Sequence, residues 1–334
     1  MPDLNTQYKI LNTTYMKHFL ILLLLTSSLF ASAQKIDRKQ LLSDVEILSS
    51  DVYEGRKTGS KGNILAANYI VGRFKKIGLS FYQDSFKHPF TFKNQRGNSI
   101  NGTNLIGYIK GRSKNVIVIS AHYDHIGITD SLINNGADDN ASGVAGLFAM
   151  AEYFKRHKPK NTLLFIAFDA EEMGLQGSYS YIKNPVLDGK RIKMMINMDM
   201  ISHNDKGELY AAGSYKNPEF REILKEADED TGIKILFGHD DPKLGKEDWT
   251  MQSDQGPFAQ KNIPFIYFGV EDHKDYHKPT DEYKNINQEF FYGASNAIIN
   301  STIQLDKNLK RINKNIDPVL QRTLKDKMIM KKGQ

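Results

Sequence analysis

Cysteine is absent from the 334 residues. That excludes disulfides, thiolate metal sites, a cysteine nucleophile and lipid attachment at a cysteine. Any transition metal must then be held by imidazole and carboxylate. The absence does not bear on compartment, because an exported protein need not carry disulfides. Long hydrophobic runs are scarce as well; the run Phe19 to Leu25 near the N-terminus is too short for a comfortable transmembrane helix. No arginine-rich run is interleaved with aromatics, and the formal net charge of +6 is dispersed, with Lys and Arg gathering mainly after residue 306. A solvated surface explains that charge, and nucleic acid is not an expected partner. What remains is an ordinary soluble composition, 40% hydrophobic and 25% charged. The length allows a large core in one α/β domain and does not force a second.

The N-terminus carries Met16-Lys17-His18, the apolar run, and then Ala31-Ser32-Ala33 before Gln34. A short basic start, a compact apolar stretch and an A-x-A ending are the parts of a secretory signal peptide. Residues 1–33 are therefore expected to be a signal region, with Met16 as its start. The mature chain would begin near Gln34 without a stable membrane anchor, in the periplasm or outside the cell.

Residues 36–49 and 62–77 read as helices, the second with Ala66, Ile70, Phe74 and Ile77 on one face and Gly78 as its stop. The glycine-rich polar stretch DVYEGRKTGSKG lies between them. Residues 80–100 read as a hairpin or surface loop. Strands are expected at 104–109, 116–119, 163–168, 194–198 and 264–268. Helices are expected at 142–157, 174–183, 217–228 and 287–305. Continuous β-branched and apolar strands alternating with helices indicate a mostly parallel sheet covered on both faces. The basic segment after 306 retains Ile312, Ile316, Val319 and Leu320 as apolar positions.

Acidic and histidine residues collect at the C-terminal ends of these strands, where open α/β sheets place ligand sites. VIVISAHYDHIG puts His122 directly after a strand, with Asp124 two residues on and able to orient an imidazole. GADDNASGVAG places Asp138 and Asp139 in a turn of small residues that lets backbone approach a ligand; an Asx turn with Ser142 as helix cap would explain it equally well. Asn140-Ala141-Ser142 also matches a glycosylation sequon, but a sugar there would sit against the candidate site. FIAFDAEEMGLQGS ends a strand with adjacent Glu171 and Glu172, whose mutual repulsion a cation would offset. One glutamate can then ligate metal while its neighbour takes a proton from water. MMINMDMIS interrupts an apolar run with Asp199, a carboxylate that needs a partner. EDHKDYHKPTDE holds His273, His277 and Asp281. Each cluster alone is compatible with a structural role. All of them in this order, each at a strand exit, are not.

Together AHYDHIG, GADDNASGVA, FDAEEMGLQGS, NMDMI and DYHKPTDE resemble the di-zinc exopeptidases, the family of bacterial leucyl aminopeptidases, aminopeptidase S and glutamate carboxypeptidase II. EGRKTGSKGNILAANYI and GTNLIGYIKG are similar to that family's N-terminal segments, so the likeness covers nearly the whole mature chain. It implies a three-layer α/β/α sandwich with a mostly parallel mixed central sheet, in one catalytic domain over 34–306 followed by a basic tail, 307–334. It implies two Zn2+ ions bridged by Asp139, with His122 and Asp199 completing one site and Glu172 and His277 the other. Glu171 would be the general base and Asp124 would support His122. Asp138, His125 and His273 match no ligand position, and a cis peptide bond is expected at Asp139–Asn140. Water activated between the zinc ions would attack a scissile carbonyl, with Glu171 passing the proton to the leaving amine. Peptide substrates follow. Residues 80–103 are too few for a protease-associated insert, so no lid or dimer platform is expected and the protein should be a monomer.

Three rivals remain within the fold. A glutaminyl cyclase works with one zinc and does not need the full ligand set. A carboxypeptidase for acidic C-terminal residues needs an arginine-rich pocket, and residues 203–260 show no arginine cluster. A non-catalytic binding homologue would have lost ligands or base. Ser253-Asp254-Gln255 replaces the more common SDH, which leaves side-chain preference open.

Overall fold

The structure, a computed structural model, describes residues 36–225, 227 and 231–312. The expected signal region and the tail from 313 lie outside them. In chain order the elements begin with α1 (Arg38–Leu48), α2 (Lys61–Ile77), β1 (Lys87–Lys93), β2 (Ser99–Ile109) and β3 (Val116–His122). There follow β4 (Gly127–Thr129), β5 (Leu132–Asn134), α3 (Gly143–Arg156), β6 (Thr162–Phe168), α4 (Gln176–Lys183) and β7 (Ile192–Met198). The last are β8 (Glu208–Ala212), α5 (Glu219–Lys225), β9 (Lys234–Leu236), α6 (Gln255–Gln260), β10 (Phe265–Gly269) and α7 (Gln288–Ile312).

Eight strands form one sheet in the order β1-β2-β6-β3-β7-β10-β8-β9. Its centre, β6-β3-β7-β10, is parallel throughout, while β2 meets β6 and β8 meets β10 antiparallel. The central strands are apolar without interruption because both faces are covered. On β6, Leu163, Phe165 and Ala167 point into one core, and Leu164, Ile166 and Phe168 into the other. Helices α1, α2, α3, α5 and α7 contribute to the first core, and α4 and α6 to the second. This is the three-layer α/β/α arrangement expected. The helical limits follow local chemistry: Ser60 caps α2 through the Asn63 amide, and Gly78 ends it at φ 80°.

The differences lie at the edges. Strand β2 starts at Ser99 rather than Asn104, because β1 pairs with it from Lys93↔Ser99 onward. Strands β8 and β9, the β4–β5 hairpin and α6 were not anticipated; they are short, and their apolar patterns span too few residues to declare a period. Helix α7 does not stop at 306. It continues to Ile312, where Leu309 and Ile312 are buried while Lys307, Lys310 and Arg311 are exposed, so residues 307–312 pack as the last turns of the helix. Among the described residues no helix is long and apolar enough to cross a membrane.

Phe148, fully buried on α3, meets Phe74 edge-on at 6.0 Å and lies under the Arg73 guanidinium. Phe148→Ala is expected to destabilise the protein by about 3–5 kcal/mol, read as a lower urea midpoint at unchanged slope.

Candidate metal centre

Parallel strands deliver their C-terminal ends to one side of the sheet. His122 closes β3 beside Phe168 of β6, and the chain after Phe168 carries Asp169 to Glu172. Asp199 follows the last residue of β7, His277 lies in the loop after β10, and Asp138 and Asp139 form the turn leading into α3. The Asp139–Asn140 peptide is cis. Several of these turns hold non-glycine residues in left-handed backbone: Ala170 (φ 59°), Met200 (φ 57°) and His277 itself (φ 53°). Such conformations persist where surrounding contacts enforce them, and they gather at functional sites.

Asp139 stands between two groups of donors. Its Oδ1 lies 3.3 Å from His122 Nε2, which is also 3.2 Å from Asp199 Oδ1. Its Oδ2 lies 3.1 Å from His277 Nε2, which is also 3.3 Å from Glu172 Oε2. His125 joins the second group, with Nδ1 at 2.8 Å from Glu172 Oε1 and 3.6 Å from Asp139 Oδ2. In each of the sets His122–Asp139–Asp199 and His125–Asp139–Glu172 the donor atoms lie within 4.8 Å of one another. Oxygen and imidazole donors in such sets suit zinc. His125 Nε2 is buried without a hydrogen-bond partner among the described residues. The structure thus brings together every residue expected to ligate, and it adds His125, which was not expected to take part.

The carboxylates around these donors are tied to backbone amides of neighbouring segments. Asp124 accepts from the Glu171 and Glu172 amides at 3.0 and 3.3 Å. Its support of His122 runs mainly through its backbone carbonyl, 3.1 Å from Nδ1, with the carboxylate at 3.7 Å. Asp281 accepts from the Asp138 and Asp139 amides at 2.8 and 3.0 Å. Asp138 accepts from the Ser202 amide at 2.7 Å and from His273 Nε2 at 3.0 Å, so it holds the chain beyond Asp199. Asp169 gathers the Thr103 amide, Thr58, Asn63 and Tyr123. Sequence reasoning passed over Asp169, Thr58 and Asn63. Asp169 lies in FDAEEMGLQGS, and Thr58 and Asn63 in EGRKTGSKGNILAANYI, stretches that resemble the family but in which these residues received no role. Asn140 is buried and bonded to the Met198 carbonyl and the Gly143 amide, so the sequon is inaccessible.

Crowding separates the titrations. Burial pushes the Glu171 carboxyl well above the usual range, with His122 opposing and Asp199 and Glu172 reinforcing. Burial works against Asp139 too, but His125, His122 and His277 hold it well below the usual value. Burial likewise opposes Glu172, yet His125 and His277 bring it down. His122 would be lowered by burial; Asp199, Glu171 and Asp139 raise it well above the ordinary imidazole value.

Two other features do not compete. His203, His273 and Asp275 also lie close enough to share an ion. The two rings stack at 3.8 Å with 2° between their planes, so their in-plane lone pairs cannot converge. His273 is further engaged by Asp138 and by the Asp275 amide. A cavity of about 910 Å³ between β1 and α4 is lined by His88, Phe90 and Tyr181 and shares no residue with the centre.

Fold and donor sets together define an α/β protein built to hold metal at the C-terminal edge of its sheet. The chain belongs to peptidase family M28, whose profile residues 104–302 match. A probable leucine aminopeptidase of Arthroderma benhamiae is 36% identical over 202 residues, 57% of this chain and 51% of that protein. The chain spans about half the length of the curated relatives it matches. Among solved structures, an aminopeptidase from Aneurinibacillus sp. strain AM-1 aligns with TM-score 0.64 at 17% identity, covering 81% of this chain and 94% of that one. The glutaminyl cyclase of Porphyromonas gingivalis aligns with TM-score 0.68 at 17% identity, covering 81% and 99%. At such identities the structures share the fold.

His277 would be lowered by burial, but its bonds to Asp139 and Glu172 raise it to about 10. A histidine raised on folding contributes stability fully below its unfolded value, near 6.5, and loses it as pH rises through the folded value. Burial raises Asp254 to about 8, with His122 opposing and Asp199 adding, and this acts in the same direction. Metal-stripped protein is therefore expected to melt at falling temperature as pH rises from about 6.5 towards 10. His277→Gln should flatten that limb in melts recorded with chelator present.

Proposed function

We propose that the chain is an exported zinc-dependent exopeptidase that acts as an aminopeptidase on peptides. The observation that supports this most is the division of Asp139, with one carboxylate oxygen facing His122 and Asp199 and the other facing Glu172 and His277. The donor chemistry fits two zinc ions, one in each group, and His125 offers the second group a further nitrogen. Zinc bound there supplies Lewis acidity that polarises a carbonyl and lowers the pKa of an attacking water.

The remaining work falls to the protein's own side chains. Glu171 adjoins ligand Glu172 in the chain and is assigned to neither donor group, and burial raises its carboxyl pKa, which favours taking up a proton. It takes a proton from water as the oxygen joins the scissile carbonyl carbon. It returns that proton to the amine as the C–N bond breaks. Asp124 fixes the Glu171 and Glu172 backbone, so base and ligand keep their relative position. Acidic groups around the centre favour a substrate's free α-amine. Aminopeptidase names among the relatives support the same end of the peptide. Export rests on the Met16 to Ala33 pattern, and the chain is proposed to work as a monomer. The likeness to a glutaminyl cyclase keeps a single-zinc cyclase as the second reading.

Glu171→Gln is expected to retain bound zinc and lose turnover by about 10²–10⁴-fold. Substantial activity in that variant sinks the assignment of the base. Metal analysis of the purified protein should find close to two zincs, whereas a reproducible single zinc supports the cyclase.

Free and N-acetylated peptides separate the remaining choices. Cleavage of the free form alone is expected, and equal cleavage of both rules out an aminopeptidase.

A further inference from the structure

Arg56 is fully buried, yet among the described residues none of its side-chain hydrogen bonds goes to a carboxylate. Its Nε donates to the Tyr123 carbonyl at 2.9 Å. One terminal nitrogen donates to the Leu48 and Asn135 carbonyls at 2.7 and 2.6 Å. The other donates to the Gly136 and Asp139 carbonyls at 2.8 and 3.4 Å. A guanidinium has five N–H donors in a rigid planar fork, so these carbonyls use all of them. The backbone is fixed as well: the Arg56 carbonyl accepts from Asn63 Nδ2 at 3.1 Å and from the His125 amide at 3.4 Å. Preceding Gly55 allows this approach, since a Cβ there would lie 2.3 Å from the Asn134 carbonyl.

Apart from Leu48, which ends α1, the carbonyls belong to segments that carry the centre. Tyr123 follows His122 directly, Asp139 faces both donor groups, and Asn135 and Gly136 begin the turn that carries it. The guanidinium therefore spans the exit of β3 and the Asp139 turn, two stretches with no ladder between them.

We propose that Arg56 is a positioning residue for the metal centre, holding the His122 exit and the Asp139 turn at their separation before any ion binds. This rests on the metal reading above. Lysine cannot replace it, because an ammonium has three donors on a flexible stem and cannot engage all these carbonyls at once. Removing partners that orient ligands typically weakens metal binding about 10–100-fold.

The test uses the full chain as wild type, Arg56→Lys and Arg56→Met, first stripped of metal and then titrated. Zinc affinity is read by chelator competition, and ligand geometry by the visible spectrum of the cobalt-substituted protein. The expected result for Arg56→Lys is native near-ultraviolet circular dichroism with zinc affinity reduced about 10–100-fold and an altered cobalt spectrum. A variant with a lower melting temperature but wild-type zinc affinity and cobalt spectrum overturns the proposal. Should both variants fail to fold, the wild type still decides. The Arg56 guanidinium N–H signals should be protected from exchange in the metal-free protein, and protection appearing only with zinc overturns prior positioning. Wild type that binds neither ion refutes the metal reading itself, whatever the state of the Arg56 cage, and with it the role proposed here.

Discussion

Carboxylates crowded at the end of an apolar sheet repel one another and lose hydration, and the rest of the centre is arranged around that cost. Three carboxylates outside the donor groups are bound to backbone N–H groups of a different segment: Asp124 to the Glu171 loop, Asp281 to the Asp139 turn, Asp138 to the chain beyond Asp199. Repulsion is thereby turned into cross-linking. These buried carboxylates lock the ligand-bearing loops to each other.

Arg56 is the complement of that pattern. It meets the carbonyls of the same loops while acidic side chains meet their amides, so donors and acceptors of this irregular backbone both find side-chain partners. Its charge also lies in the field of Asp139, Asp281, Asp124 and Glu172, which offsets part of the cost of burying it. Burial lowers the guanidinium to about 10 nonetheless. Precise placement of ligands by the surrounding shell is a general requirement of metal sites, and here the shell is largely main chain.

The parallel centre of the sheet was legible because a strand buried on both faces leaves a continuous apolar run, as at Val116 to Ile119 and Leu163 to Phe168. Helix α2 was legible through its apolar stripe and Gly78. The edge strands β8 and β9 were not, since three to five residues with mixed burial carry no periodic signal. Beyond 306 the apolar Ile312 was legible as a packing position, while Leu309 was obscured by the basic residues around it; both are buried on α7. His125 was set aside because it matches no ligand position of the family the sequence resembles; the loop's path brings its ring to Glu172.

By itself the sequence determined which chemistry is available: no thiolates, and carboxylates and imidazoles placed at strand exits by the apolar runs before them. Those facts are local and need only the alternation of strand and helix. Only the tertiary structure decided how the donors divide, with Asp139 presenting one oxygen to each group, and what holds them there. That division depends on residues separated by up to 155 positions, His122 to His277, meeting across several strands. No local pattern encodes a distance between segments that only packing brings together.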